Sequence, residues 1–326
     1  MDNPPAPHYN RGPERTPHTM EPPIHPQLRD LRAILVTGKG GVGRTTVAAA
    51  VARAAAAAGR RVLLAEFEEP SHVRRSPLAA CFRQAVLPNS PALIEEGVWG
   101  VTLDSDLGIQ LFLESVFKVP VLARLALRLP ALRRMLHSGP SFHEMGLLYH
   151  MLYSIRQTRP DGSPRYELMV LDMPATGHTL AITGLPAILL RLVRRGPIAE
   201  ALKAGLAIFS DPRQAAAWVV TLPEPLPVSE CLDLLGGLRR TDIPVGLVIA
   251  NRVPQDPFTA EEHLALDEIL SLGQPRGLTQ VDRIRRAESS LDRLGRVLEI
   301  PLLRVAEVEH GEPHQGVSRQ LVAELA

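Results

Sequence analysis

Apolar positions change period repeatedly after residue 30, and each change marks an element. Ala33-Ile34-Leu35-Val36-Thr37 is an unbroken apolar run with β-branched residues, closed by Gly38, which predicts a strand buried on both faces. Residues 43–58 turn Ala-rich and end at Gly59, the pattern of a helix with glycine just past its last turn. Residues 61–66 predict a second strand and 100–103 a third. Residues 168–172, 217–222 and 245–250 repeat the buried-strand pattern, each running into polar or Gly/Pro residues, and 300–303 supply a last candidate. Between about Ser105 and Thr158 the strand signal gives way to helical spacing at 107–117, 121–136 and 142–155, broken at Pro130 and Gly139-Pro140. Residues 179–209 read the same way.

Strands alternating with helices predict an α/β fold: a mostly parallel sheet with helices on both faces. The helical stretches at about 105–160 and 179–209 form an inserted helical subdomain. Ligands of such sheets bind at the carboxyl ends of the strands. Residues 1–30 contain eight prolines and almost no aliphatic run, so they are expected to be a disordered extension. The domain then spans 31–312, and 313–326 form a C-terminal tail or helix.

Charge narrows the function classes. With 36 Lys+Arg against 35 Asp+Glu, nothing in bulk draws the 326-residue chain to nucleic acid, and an aromatic content of 4% is poor for stacking on single strands. Two cysteines, Cys81 and Cys231, preclude a disulfide framework or a four-cysteine zinc site within one chain. The most apolar stretch, near 185–193, is broken by Arg191, too short for a membrane span, and no signal-peptide core is present. A cytoplasmic location is the expectation. His137, His143 and His150 stand six and seven residues apart, a spacing that sets up no metal site on one straight helix.

The chemistry gathers in Gly38-Lys39-Gly40-Gly41-Val42-Gly43-Arg44-Thr45-Thr46, between a strand and a helix. Glycines let backbone N–H groups converge on an anion, the helix start adds its positive dipole end, and Thr45 offers a hydroxyl to Mg²⁺. The spacing fits a nucleotide phosphate loop, with Arg44 where lysine is usual. Lys39, one place after the first glycine, marks the deviant Walker A class of P-loop NTPases. The segment resembles that class of dimeric ATPases, in which this lysine reaches the partner subunit's phosphates.

Asp172-Met173-Pro174-Ala175-Thr176-Gly177-His178 resembles the second switch of the ArsA family of anion-transporting and tail-anchored-protein-targeting ATPases. Val220-Thr221-Leu222-Pro223-Glu224, Val248-Ile249-Ala250-Asn251-Arg252 and Ile300-Pro301-Leu302-Leu303 continue the likeness over roughly 31–312. The resemblance implies ATP and Mg²⁺ as cofactors. Gly38, Lys39, Gly40, Gly41, Val42, Gly43, Arg44, Thr45 and Thr46 would hold the nucleotide, with Lys39 reaching across a homodimer or a heterodimer with a related ATPase. Thr45 would hold Mg²⁺ directly, Asp172 would hold it through water, and Asn251 would read adenine. The cargo would be an anion or metalloid, or a hydrophobic segment of a client or membrane-protein partner, and nucleic acid is not expected.

Departures from the family pattern matter too. Arg44 is larger and planar where the family has lysine, so nucleotide binding with slow hydrolysis is expected. The water-orienting aspartate of the first switch is replaced within Glu66-Phe67-Glu68-Glu69-Pro70-Ser71-His72. Glu68 takes its place without a gap, and Glu69 does so if Pro-Ser-His is matched. These changes leave an alternative: a regulatory switch or catalytically weak partner subunit that binds nucleotide without significant turnover. Two cysteines cannot form a thiolate trio for arsenite. Met145, Leu148, Met151, Leu152 and Ile155 make one helical stripe, with Leu125, Leu129 and Met135 upstream, readable either as a client groove or as core.

Overall fold

The computed structural model describes residues 26–68, 76–117, 142–174, 197–271, 279–308, 319–320 and 322–323. Its framework is one eight-stranded sheet built around β1 (Ala33–Gly38), all six residues of which are buried. After β2 (Val62–Phe67) come β3 (Ala92–Glu95), β4 (Val98–Leu103), β5 (Leu168–Asp172), β6 (Ala215–Thr221), β7 (Val245–Val253) and β8 (Leu302–Ala306), arranged β3-β4-β2-β5-β1-β6-β7-β8. All neighbours pair parallel except β3 with β4. A parallel sheet covered on both faces needs strands apolar on both sides, as these are.

Alternate residues feed two cores. Ile34, Val36, Leu64, Val170 and Trp218 pack on one face under the helix Arg44–Ala57 (α2), whose alanines let it lie close to the strands. Leu35, Leu63, Met169, Leu171 and Val219 pack on the other, under the helices Phe142–Ile155 and Pro225–Leu238. Cys81 lies in the first core and Cys231 in the second, so the sheet separates the two thiols.

Several expectations are revised. Pro26–Asp30, expected as part of the disordered extension, is a short helix (α1) that buries Leu28 completely. The indole N–H of Trp218, buried within the sheet, explains it, since Gln27 accepts that hydrogen at 2.9 Å and donates to Gly246 O at 2.9 Å. Leaving the indole unpaired would cost about 1–3 kcal/mol. β3 was not anticipated; it is a four-residue, mostly exposed edge strand, too short to show a period, turned into β4 through Gly97. Helical spacing at 107–117 and 142–155 is realised as Ser105–Phe117 (α4) and Phe142–Ile155 (α5), following the four-residue helix Pro77–Ala80 (α3). Of 179–209, Pro197–Phe209 (α6) is helical. The helix expected at 121–136 lies outside the described residues, as do Leu125, Leu129 and Met135.

The methionine-containing stripe on α5 is core. Leu148, Met151, Leu152 and Ile155 are buried against the sheet, with Met145 packed beside them. The helices α4 and α5 meet through Gly108 and Gly146, where a Cβ on either would run into the other helix's backbone. Pro225–Leu238 (α7), Ala260–Ser271 (α8) and Thr279–Val297 (α9) complete the described helices.

Candidate functional site

The chain leaves the central strand β1 between β5 and β6 and turns directly into α2, so the glycine loop sits at the carboxyl end of the sheet's middle. Gly38 runs so close to β6 that a Cβ there would collide with Val220 O. Gly43, at φ +94°, is the residue before the first turn of α2, and a Cβ there would strike the Asn251 amide. Glycine is required at both positions, one for close approach and one for backbone sign as well. Lys39, Gly40 and Gly41 are exposed at the rim, while Val42 is buried and anchors the loop.

Two consecutive residues of α2 grip the end of β5. Thr45 Oγ1 donates to Asp172 Oδ2 at 2.7 Å. Arg44 Nη1 donates to Met173 O at 2.6 Å, and its guanidinium lies in the field of Asp172. Thr46 follows in the same first turn. Burial pushes the Asp172 carboxyl up to about 6, against the pull of the Thr45 hydroxyl and the Arg44 charge. Its second oxygen, Oδ1, is buried with no partner among the described residues. A threonine hydroxyl and an under-used carboxylate oxygen at the mouth of a phosphate loop are the hard oxygen donors that Mg²⁺ takes, so the residues present fit that ion.

The other expected residues are placed as follows. Lys39 Nζ pairs with Glu230 on α7 at 2.8 Å, half-exposed, so its ammonium is held within its own chain. Glu68 N donates to Leu103 O at 3.0 Å, continuing the β2–β4 ladder. Its Oε1 accepts the Ser105 N–H at 2.8 Å and stands 3.8 Å from His143 Nδ1, so one carboxylate faces the first turns of both α4 and α5. Glu69 lies outside the described residues, as do Ala175, Thr176, Gly177 and His178. Asn251 is 2% exposed; its Nδ2 donates to Val42 O at 2.8 Å, and Oδ1 is buried without a partner among the described residues. Its amide hydrogens are thus turned to the underside of the loop. Reading adenine requires that side chain to swing out.

Two acids were missed by the sequence reading. Glu66 is register partner of Asp172 and is buried, with its carboxyl pushed up by desolvation; it accepts from Thr102 Oγ1 at 3.2 Å. An acid inside the buried run Val62-Leu63-Leu64-Ala65-Glu66-Phe67 was the available signal. Glu230 carried no signal, since nothing local distinguishes it from any helical glutamate. Among the described residues, no group of three or more His, Cys, Asp or Glu could hold a metal ion by itself, and no helix is long and apolar enough to cross a membrane.

A family model described as anion-transporting ATPase matches residues 31–197. The ATPase BagA of Mycobacterium tuberculosis is 30% identical over 247 residues, covering 72% of this chain and 71% of BagA. A protein of Mycobacterium bovis, named for the same activity, matches to the same extent. The ATPase ARSA1 of Chlamydomonas reinhardtii is 24% identical over 282 residues, covering 68% of this chain and 35% of ARSA1.

Proposed function

We propose that this chain, which belongs to the ArsA family of anion-transporting ATPases, binds Mg·ATP, hydrolyses it slowly as a dimer, and couples nucleotide state to handover of a cargo. The observation that carries the reading is the pairing of Thr45 with Asp172 beside a glycine loop, with one Asp172 oxygen buried and unclaimed.

The roles follow from position. Backbone N–H groups of Gly40, Gly41 and Gly43, with the start of α2, cradle the phosphates. Arg44 adds cationic charge beside them. Thr45 and Asp172 hold Mg²⁺, Thr45 directly; when bound, the ion neutralises charge building on the phosphates. Glu68 orients the attacking water, and Asn251 props the loop from beneath through Val42 O, since reading adenine would need its amide to leave that carbonyl. Lys39 exchanges Glu230 for the partner subunit's nucleotide, the partner being a second copy or a related ATPase. An exposed ion pair of this kind is worth at most about 1 kcal/mol, so it yields readily to a polyphosphate.

Cargo is bounded by chemistry. Two thiols buried on opposite faces of the sheet cannot converge on one metalloid, which argues against thiolate capture within a chain. The α5 stripe is occupied by the core, so a hydrophobic client would need another surface. A second reading, a nucleotide switch or weak partner subunit with little turnover, is favoured by Arg44, whose guanidinium is already bonded to Met173 O.

Calorimetry with ATP and ADP, with and without Mg²⁺, joined to phosphate release and sedimentation with and without nucleotide, tests both readings. Saturable, Mg²⁺-strengthened binding with measurable release and a nucleotide-dependent dimer supports the first. Binding without release supports the second. No binding removes both.

A further inference from the structure

Arg44 and Thr45 hold Met173 and Asp172, neighbours gripping neighbours. Met173 is secured at both backbone groups: its N–H is donated to Val36 O at 3.0 Å, and its carbonyl takes the Arg44 hydrogen. Pro174 follows, with no N–H to extend the ladder. The Arg44 bond therefore holds the first residue past the end of β5. Met173 itself is buried.

A lysine in this place would not do the same work. Its ammonium is a strongly hydrated point charge on a flexible stem, whereas guanidinium carries five donors in a rigid fork suited to a carbonyl or a phosphate edge. Guanidinium meets phosphate as two opposite charges and in a bidentate fork, whereas Met173 O offers one neutral acceptor, so a polyphosphate outcompetes that carbonyl for the fork. The carbonyl it abandons is buried and must then find another donor, which the strand end supplies only by shifting.

We propose that Arg44 is a positioning residue shared between the phosphates and the end of β5: in the nucleotide-free protein it fixes Met173, and an arriving triphosphate draws it off and releases that residue. This rests on the ATPase reading for its second half only. The first half concerns the empty protein and stands or falls without nucleotide.

Hydrogen exchange on the full chain tests it, comparing wild type with Arg44→Lys and Arg44→Gln at the peptide carrying the Asp172 and Met173 amides. Without nucleotide, both variants should exchange there about fivefold faster than wild type, with α2 and β6 unchanged. Mg·ATPγS should raise the wild type toward the variants at that peptide, and Arg44→Lys should hydrolyse ATP with a higher kcat at nearly unchanged KM. Equal exchange in the three empty proteins overturns the clamp, and an unchanged or lower kcat in Arg44→Lys overturns the release step. Should Arg44→Gln exchange globally, through loss of fold, the charge-keeping lysine variant decides. Wild type that binds no ATPγS in calorimetry overturns the release step together with the ATPase reading, while the comparison of empty proteins still decides the clamp.

Discussion

Glu66 and Asp172 are direct register partners where β2 and β5 end, and both carboxyl groups are pushed up by burial. The sheet thus concentrates acid at the mouth of the phosphate loop, where the Asp172 charge adds to the burial that makes Glu66 costly to ionise. Such an arrangement sacrifices stability for a charge that a bound cation later compensates.

Asp172→Asn should therefore stabilise the empty protein at pH 8. The folded carboxyl titrates at about 6, above its unfolded value, so the fold binds the proton more tightly than the unfolded chain does. The penalty is fully present above that point and fades as pH falls toward the unfolded value. A gain on the order of 2–3 kcal/mol at pH 8 should shrink toward zero near about pH 4. Urea denaturation of both proteins at the two pH values measures it, and an equal gain at both would reject the assignment. In the same variant, Mg²⁺ should no longer strengthen nucleotide binding.

Replacing Glu68 and Glu69 by Gln one at a time separates the candidates for water orientation. Glu68→Gln keeps an oxygen that can accept from Ser105 N, so α4 stays capped and the thermal midpoint should move by only a few degrees. Turnover should nevertheless fall by about 10²-fold or more, as for loss of a general base. Glu69→Gln should remain active. Two active variants would remove the role from Glu68 and leave it as the cap alone.

Much of this was legible beforehand because the strands around the site are buried on both faces. Runs such as Leu168–Asp172 announce themselves by unbroken apolarity, and the glycines at 38 and 43 announce a turn that a side chain would obstruct. β3 did not announce itself, because four residues are too few to show a period, apolar though Ala92-Leu93-Ile94 are. Pro26–Asp30 was misread for a tertiary reason: what orders it is Trp218, nearly two hundred residues away, whose indole needs Gln27. The bond from Arg44 to Met173 O was invisible too, since a carbonyl acceptor leaves no trace in residue identity.

His150 gives a second pH dependence of opposite sign. Its Nδ1 accepts the Asp104 N–H at 3.0 Å, which requires the neutral ring, and burial holds its pKa below the usual histidine value. The fold then binds fewer protons than the unfolded chain. This contribution is complete above about pH 6.5 and is lost as pH falls below it. Comparing wild type with His150→Gln by denaturant titration across about pH 5–8 isolates it from Asp172. Wild type should lose ground against the variant as pH drops; a constant difference would show that His150 does not titrate in this window.

Asn251 offers the sharpest separation of two roles, because an amide buried beneath the loop against Val42 O must move to reach a base. As the prop of the loop, its loss leaves a buried carbonyl unpaired and a small void under Val42. Asn251→Ala should then lower stability by about 1–3 kcal/mol and weaken ATP and GTP binding by similar factors, since the damage is to the phosphate cradle that both share. As a reader of adenine, the same substitution would instead collapse the preference for ATP over GTP with little change in melting. The amide's position beneath the loop makes the first outcome the expected one. Calorimetry with both nucleotides and a melt of each protein measures it, and a ratio that falls toward unity at unchanged stability would return Asn251 to the base.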